Sequence, residues 1–168
     1  MFRDIQFESS QLITKSLELS DAPTLLSFYS DAEAMKFRGS PPMQSKNDAV
    51  SMILNQCYIE DNQNKLRLAI WNKDINELIG TLLIQWNTEN NAACEIGFSF
   101  GKIHWNKGYA QQTLHMIEDR LSQKGGCTIT AFCMKDNLAS ISVFEKAMYS
   151  TVNQDEFPLS LLFIKVIS

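Results

Sequence analysis

The sequence predicts one mixed α/β domain, in which a mostly antiparallel central sheet carries one parallel pair of strands and is flanked by helices. The chain has 168 residues, which suffices for one sizeable core and is short for two, so residues 1–168 are assigned to a single domain. Apolar runs at 66–71, 78–86 and 93–100 are separated by short polar turns, which favours an antiparallel meander. A helical pattern then leads to a strand at 128–133, and this crossover predicts that strands 93–100 and 128–133 are parallel.

Two helices are predicted before the meander, after an extended segment at 12–19. Ser20 or Asp21 can cap the first helix, which has a buried side and ends near Asp31. Proline and glycine at 39–42 break the chain, and a second helix then starts at Ser45 or Asn47 and extends to 57.

Two more helices and two terminal strands are predicted after the meander. The longest helix covers 108–124, and the pair Gly125-Gly126 ends it. Asp136 and Asn137 then cap a further helix, and the chain finishes in strands at 150–154 and 159–167.

Composition excludes several classes of function. The chain is 45% hydrophobic with only 4 prolines and 7 glycines, which rules out disordered and collagenous proteins. Its formal net charge is −4, so nucleic-acid partners are disfavoured and cationic ones fit better. No apolar run approaches the roughly 18 residues that span a bilayer, and we expect a cytoplasmic protein without a membrane partner.

The cysteines predict neither a metal site nor a structural disulfide. Four cysteines lie singly, without a Cys-x-x-Cys pair, and only two histidines accompany them. Reduced thiols are the better interpretation.

The segment 101–110 predicts a binding site for an anionic ligand. It enters a helix N-terminus, where unpaired backbone N–H groups and the positive end of the helix dipole favour an anion, and Gly108 permits close approach to the backbone. The segment matches neither a Walker loop nor a Gly-x-Gly-x-x-Gly turn, which disfavours ATP and NAD. In the alternative interpretation, Gly108 only turns the chain while Trp105 and Tyr109 pack on the core.

Several stretches, in order, resemble the GNAT acetyltransferases and especially their RimJ/RimL-like branch, the ribosomal-protein N-terminal acetyltransferases. Trp105-Asn106-Lys107-Gly108-Tyr109-Ala110 resembles the tryptophan variant of the family's motif A. The stretches at 12–37 and 95–100 are similar to the first strand and helix and to the fourth strand, and 137–146 resembles the motif B helix. The resemblance extends over about residues 12–149.

The resemblance implies acetyl-coenzyme A as cosubstrate, no metal, and a set of binding residues. The pyrophosphate would rest on backbone amides of 106–110 with charge from Lys107, and the pantetheine arm would pair with the fourth strand where it leaves the fifth. Asn137 would lie on the opposite wall, although its side chain could instead only cap a helix. The implied binding residues are Phe98, Ser99, Phe100, Trp105, Asn106, Lys107, Gly108, Tyr109, Ala110 and Asn137.

The same resemblance implies the catalytic residues. Glu95 occupies the position of a catalytic glutamate and is expected to act as the base, directly or through water, unless it is an ordinary surface glutamate. Ser140 is expected to protonate the leaving thiolate, because Phe144 stands where many members have a tyrosine, unless Ser140 is an ordinary solvated serine. A backbone N–H near Phe98 would polarise the thioester carbonyl.

Three departures from the family pattern affect these expectations. Asn106 replaces a usual glycine, so a positive φ is expected there. Met148 and Tyr149 replace the Gly-Phe that closes motif B, and the opening Arg-Leu-x-Leu-Arg signature is altered at 11–15.

The expected function is acetyl transfer to a primary amine, most readily a protein N-terminal α-amine, by direct attack in a ternary complex. One alternative is a small amine such as a polyamine, amino sugar or aminoglycoside, and another is a catalytically inactive coenzyme A-binding module. The acceptor half is formed by the first two helices and the loops 37–46 and 155–158. No sequence pattern in it identifies the acceptor amine. A homodimer is a common default for such enzymes.

Overall fold

A path of seven strands, with an eighth beside it, runs through the centre of the molecule. The computed structural model describes residues 6–60, 63–87, 93–153 and 158–168, and in these ranges the side chains of 57–60, 63, 64, 87 and 153 are left out of the description. The strands are β1 (Leu12–Ser16), β2 (Cys57–Glu60), β3 (Gln63–Asn72), β4 (Glu77–Asn87), β5 (Ala93–Phe100), β6 (Cys127–Met134), β7 (Ser150–Asn153) and β8 (Ser160–Ile167). The helices are α1 (Ala22–Tyr29), α2 (Ala32–Met35), α3 (Lys46–Leu54), α4 (Tyr109–Ser122) and α5 (Leu138–Lys146).

The sheet confirms the predicted mixed topology. The strand order is β1-β3-β4-β5-β6-β8-β7, and β2 pairs with β3 beside this path. All neighbours are antiparallel except β5 and β6, which the α4 crossover makes parallel. That parallel pair contains only three residue partners, from Ala93↔Thr128 to Glu95↔Thr130. Beyond Glu95 the two strands separate.

Helices cover both faces of the sheet, as side-chain alternation along the strands requires. On one face, α4 and α5 pack on residues such as Leu68, Ile70 and Ile129. On the other face, α1, α2 and α3 pack on Ala69 and Leu78. The domain therefore has one apolar cluster on each side of the sheet.

Two predicted boundaries are wrong near the N-terminus. The second helix does not extend to residue 57, because Cys57 begins β2. The Gln56 side chain accepts from Leu17 N at 2.8 Å and donates to Leu17 O at 3.0 Å, and this fixes the chain against the end of β1. The segment 12–19 also includes only five strand residues, since a 3₁₀ turn at Leu19–Asp21 follows.

The first helix ends at Tyr29, near the predicted position, but a short additional helix follows it. Asp31 Oδ1 accepts from the N–H groups of Glu33 and Ala34, each at 2.9 Å, and so caps α2. At the C-terminus, the predicted strands 150–154 and 159–167 correspond to β7 and β8, although residue 154 lies outside the described residues.

Met148, after the end of α5, has a backbone conformation that suits glycine. Its φ is 63°, and its N–H donates to Glu145 O at 2.9 Å in a tight helix end. The side chain is 81% exposed, so packing does not compensate for this conformation. This geometry explains why the resembled family has glycine at the same place.

Met148→Gly is expected to raise the free energy of unfolding by about 0.5–1 kcal/mol. The left-handed region costs a non-glycine residue about 1–2 kcal/mol, and glycine loses about 0.5–1 kcal/mol of entropy on folding. Urea unfolding measures the difference. Glu145→Gly, at an exposed position inside α5, is the matched control and should lower stability by about 1 kcal/mol. If both variants lose stability equally, Met148 is not strained.

Candidate functional site

A cavity of about 600 Å³ opens where β5 and β6 separate. Its walls come from β5 (Gly97, Phe98, Ser99), from β6 (Phe132 to Met134) and from α5. Past Glu95, β5 pairs with β4 alone and β6 with β8 alone in the described part of the sheet. Each strand therefore presents backbone N–H and C=O groups to the gap, where an extended ligand can pair with them.

The N-terminus of α4 lies directly after the β5 end of this gap. Gly108 is the N-cap in the left-handed region, with φ 77°, and no side chain caps the helix in the described residues. The first helical bond runs from Gln112 N to Gly108 O at 3.1 Å, so the N–H groups of Tyr109, Ala110 and Gln111 lack helical acceptors. These donors and the helix dipole favour an anion.

The structure bears out the expected conformation of Asn106. Its φ is 59°, and asparagine adopts this region more readily than most other non-glycine residues. Two left-handed residues, Asn106 and Gly108, therefore shape the loop, and residues 106–108 are all exposed. The predicted binding loop is thus a turn that presents backbone groups and one exposed lysine, Lys107.

The two aromatic residues of the loop have structural roles. Trp105 Nε1 donates to Phe100 O at 2.9 Å, which ties the loop to the end of β5. Tyr109 is buried, and its hydroxyl accepts from Asn72 Nδ2 at 2.9 Å. The interpretation that both aromatic residues pack on the core is therefore correct for Tyr109, whose backbone alone faces the loop, and wrong for Trp105, which is 37% exposed.

The predicted catalytic residues lie in different surroundings. Ser140 lines the cavity, together with Asn137, whose Oδ1 accepts from Ser140 N at 3.2 Å and so also caps α5. Glu95 is exposed and lies outside the cavity lining, two residues before Gly97 on the same face of β5. Partial desolvation raises the pKa of Glu95, and the Lys65 ammonium opposes that rise. Phe100 also lies outside the lining.

A polar network at the far side of the cavity was missed by the sequence analysis. Tyr29 OH lies 2.6 Å from Thr81 Oγ1 and 2.9 Å from Ser99 Oγ. Arg67 Nη1 donates to Thr81 Oγ1 at 3.4 Å, and Arg38 Nη1 donates to Ser99 Oγ through a short bond. One signal was available, because Arg67 is a lone cation within the apolar stretch 66–70.

The acceptor loops are partly placed by the structure. Residues 37–39 line the cavity, as does Leu159 on the other side, whereas 155–157 lie outside the described residues.

Among the described side chains, the thiols of Cys94, Cys127 and Cys133 are free. Cys133 lines the cavity, and burial raises the pKa of its thiol. Cys94 and Cys127 have their Sγ atoms 3.9 Å apart. Within the ranges that the structure describes, no group of three His, Cys, Asp or Glu side chains is placed to hold a metal ion. Those ranges also contain no helix long and apolar enough to cross a membrane.

Comparisons with known proteins agree with this geometry. Among curated proteins, the uncharacterized N-acetyltransferase p20 of Bacillus licheniformis is 29% identical over 113 residues, which is 66% of this chain and 62% of p20. Among solved structures, a spermidine N-acetyltransferase from Vibrio cholerae, in complex with coenzyme A and spermine, superposes with TM-score 0.75 at 15% identity, covering 95% of this chain and 97% of that one. An acetyltransferase from Salmonella typhimurium that modifies the N-terminal serine of a 50S ribosomal subunit protein gives TM-score 0.75 at 18% identity, covering 95% and 97%.

The family model for the acetyltransferase (GNAT) domain matches residues 11–149, which include β1, the whole meander, the α4 loop and α5. Together with the parallel β5–β6 pair that separates beside an uncapped helix N-terminus, this match shows that the chain belongs to the GNAT family of acyltransferases.

Proposed function

We propose that this protein is an acetyl-coenzyme A-dependent N-acetyltransferase that acts on a primary amine by direct attack in a ternary complex. The observation that carries the proposal is the gap between β5 and β6, together with the loop that ties the uncapped N-terminus of α4 to Phe100 at the end of β5. Residues 105–110 themselves lie outside the cavity lining. One end of this arrangement suits a pyrophosphate, and the other suits an extended amide-containing chain. A short ligand would not need both an anion site and an open strand edge, whereas coenzyme A needs the two together.

The residues present fit coenzyme A in a defined order. The α4 loop would hold the pyrophosphate through the N–H groups of 109–111, with Lys107 adding charge. Phe98 and Ser99 would offer backbone groups to the pantetheine amides from the open edge of β5. When bound, acetyl-coenzyme A supplies an activated acetyl group as a thioester.

Side chains of the protein would then take the proton from the acceptor amine and supply one to the leaving sulfur. The acceptor amine must be neutral to attack, and an α-amine with a pKa near 7.7–8.0 needs less help than a lysine-type amine near 10.4. Glu95 would accept the proton through a bridging water, because it is exposed and lies two residues from the cavity wall. Ser140, which lines the cavity, would donate a proton to the leaving sulfur, while the backbone N–H near Phe98 would polarise the carbonyl.

Acetyl-coenzyme A is expected to raise thermal stability, by about 2.7 kcal/mol at 100 times its Kd. Gly108→Glu should abolish this gain, because a carboxylate would occupy the anion position. Gly108→Ala is the matched control. Both variants carry the cost of a side chain at φ 77°, and an added Cβ meets no protein atom within 4 Å, so the alanine variant should lose less of the gain from the ligand than the glutamate variant.

Differential scanning calorimetry of the wild type, Gly108→Glu and Gly108→Ala, each with and without acetyl-coenzyme A, measures the shift in Tm. No shift of the wild type at millimolar ligand would contradict the proposed cosubstrate. An undiminished shift in Gly108→Glu would place the pyrophosphate elsewhere.

Glu95→Gln is expected to lower kcat/KM about 10²- to 10⁴-fold at neutral pH, the usual range for a general base. In the wild type, the rate should fall as pH drops through the pKa of Glu95, which lies above the ordinary 4.5, because the protonated carboxyl cannot accept a proton. The variant should lose this limb of the pH profile. The other limb of the pH profile should come from deprotonation of the acceptor amine. Measuring the profile with two acceptors of different amine pKa tests this, because that limb should shift with the acceptor. An unchanged profile would make Glu95 a surface residue.

The acceptor is proposed to be a protein N-terminal α-amine, in line with the Salmonella typhimurium neighbour. A small amine is the second candidate, because the Vibrio cholerae neighbour binds spermine. Thiol release measured on N-terminal peptides and on small amines separates the two. Ligand binding without thiol release on any amine would indicate an inactive coenzyme A-binding module.

A further inference from the structure

Two arginines face the acceptor side of the cavity with no counter-ion among the side chains that the structure describes. Arg38, in the loop after α2, and Arg67, on β3, both line the cavity and are half-buried. In the described ranges, no carboxylate lies within 4.0 Å of either guanidinium, whereas Lys73, Lys102 and Lys165 all have acidic partners. Partly desolvated charges without a counter-ion are costly, so their presence in a cavity indicates a ligand that neutralises them.

The hydroxyl network holds both guanidinium groups in place. Arg38 donates to Ser99 and its guanidinium carbon lies 4.2 Å from the ring centroid of Tyr29, while Arg67 donates to Thr81. The central hydroxyls are fixed, since Tyr29 is 2% exposed and Thr81 is fully buried. A guanidinium has five N–H donors, so one bond to a hydroxyl leaves donors for a ligand. The arginines are thus oriented before any ligand arrives.

The charges of the surroundings favour an anion at this place. Burial lowers the pKa of Arg67 most, the nearby Arg38 charge lowers it further, and Tyr29 opposes the shift. The acid on the same face of β5, Glu95, lies outside the cavity and is near Lys65. A polyamine would add positive charge to this cavity, whereas a carboxylate would form charge-assisted bonds with the fork of an arginine.

The position of the network along β5 relates the anion to the reaction. Ser99, which accepts from Arg38, is next to Phe98, where the proposed thioester carbonyl would be polarised. A ligand anion on the arginines would therefore lie close to the reacting amine. Above Gly97 the space is open, since an added Cβ meets nothing within 4 Å.

We propose that Arg38 and Arg67 select an acceptor that carries a carboxylate near its reactive amine. The inference rests on the proposed acetyl transfer and names its substrate class. The carboxylate could belong to a free α-amino acid or to an acidic side chain beside a peptide N-terminus, because the chemistry recognised is the same.

The test compares four probes: serine, serinamide, the dipeptide Ser-Asp with an amidated C-terminus, and spermidine. Calorimetry measures binding of each probe to the protein saturated with coenzyme A, and thiol release measures turnover with acetyl-coenzyme A. We expect serine or the Ser-Asp amide to bind at least tenfold more tightly than serinamide and spermidine. Preference for serine indicates an amino acid, and preference for the Ser-Asp amide indicates a peptide.

Variants assign the preference to the arginines. Arg38→Gln and Arg67→Gln should each weaken the carboxylate probe about 10- to 100-fold and leave serinamide within twofold, because a bond to a charged group is lost only with the acid. Lys124→Gln, at an exposed site just after α4 and away from the cavity lining, removes the same charge and should change neither probe.

Three outcomes would overturn the inference. If the variants lose affinity equally for the carboxylate probe and for serinamide, the arginines have a structural role. If the variants bind coenzyme A more weakly, the arginines bind the cosubstrate. If the wild type prefers spermidine, its specificity is the reverse of the one proposed. Failure of the proposed function is distinct, because coenzyme A would then not bind, or no probe would release thiol. Carboxylate-selective binding without thiol release would leave the arginines as a carboxylate-binding site, but it would contradict both acetyl transfer and their role in choosing an acceptor.

Discussion

The early separation of β5 and β6 is the constraint on which the rest of the molecule depends. Three residue pairs join the strands, and past Glu95 the two halves of the sheet are no longer hydrogen-bonded to each other. Phe144 of α5 spans the gap instead. Its ring stacks on Phe163 of β8 at 4.9 Å and lies 5.8 Å from Phe98 of β5, with only 3% of the residue exposed. Aromatic packing thus replaces the missing ladder and leaves backbone groups open to a ligand.

This role also accounts for the loss of a tyrosine hydroxyl at the position of Phe144. A ring that contacts both sheet halves in an apolar cluster would have to satisfy a hydroxyl group there. Phenylalanine avoids that cost, and Ser140, one turn earlier on α5, provides the hydroxyl that faces the cavity. The residue that packs between the sheet halves and the hydroxyl-bearing residue of the cavity wall are therefore separate residues of one helix.

Local signals made much of the fold and the binding loop predictable. The bounds of β5 were predicted correctly, since an apolar run lies between two turns, and the φ of Asn106 followed from a replaced glycine. The short helix α2 and strand β2 were missed, because one depends on a single capping aspartate and the other on Gln56 bonding to Leu17. Whether Glu95 reaches the cavity depends on where β5 and β6 separate, and no sequence pattern specifies that residue. The network of Tyr29, Arg38, Arg67, Thr81 and Ser99 brings together five separate segments, so only the folded sheet assembles it.

The overall charge and the local charge favour opposite acceptors, and the local charge should decide. A net charge of −4 spread over the surface favours cations, but salt screens exposed charges beyond about 8 Å at physiological ionic strength. Arg38 and Arg67 are half-buried in the cavity wall, where screening is weaker and each bond is directional. The distant surface charges can raise the local concentration of a cation, whereas the arginines act on the molecule that occupies the cavity. Selectivity for the acceptor is therefore a property of the network that connects β3, β4 and β5, and the surrounding surface can vary without altering it.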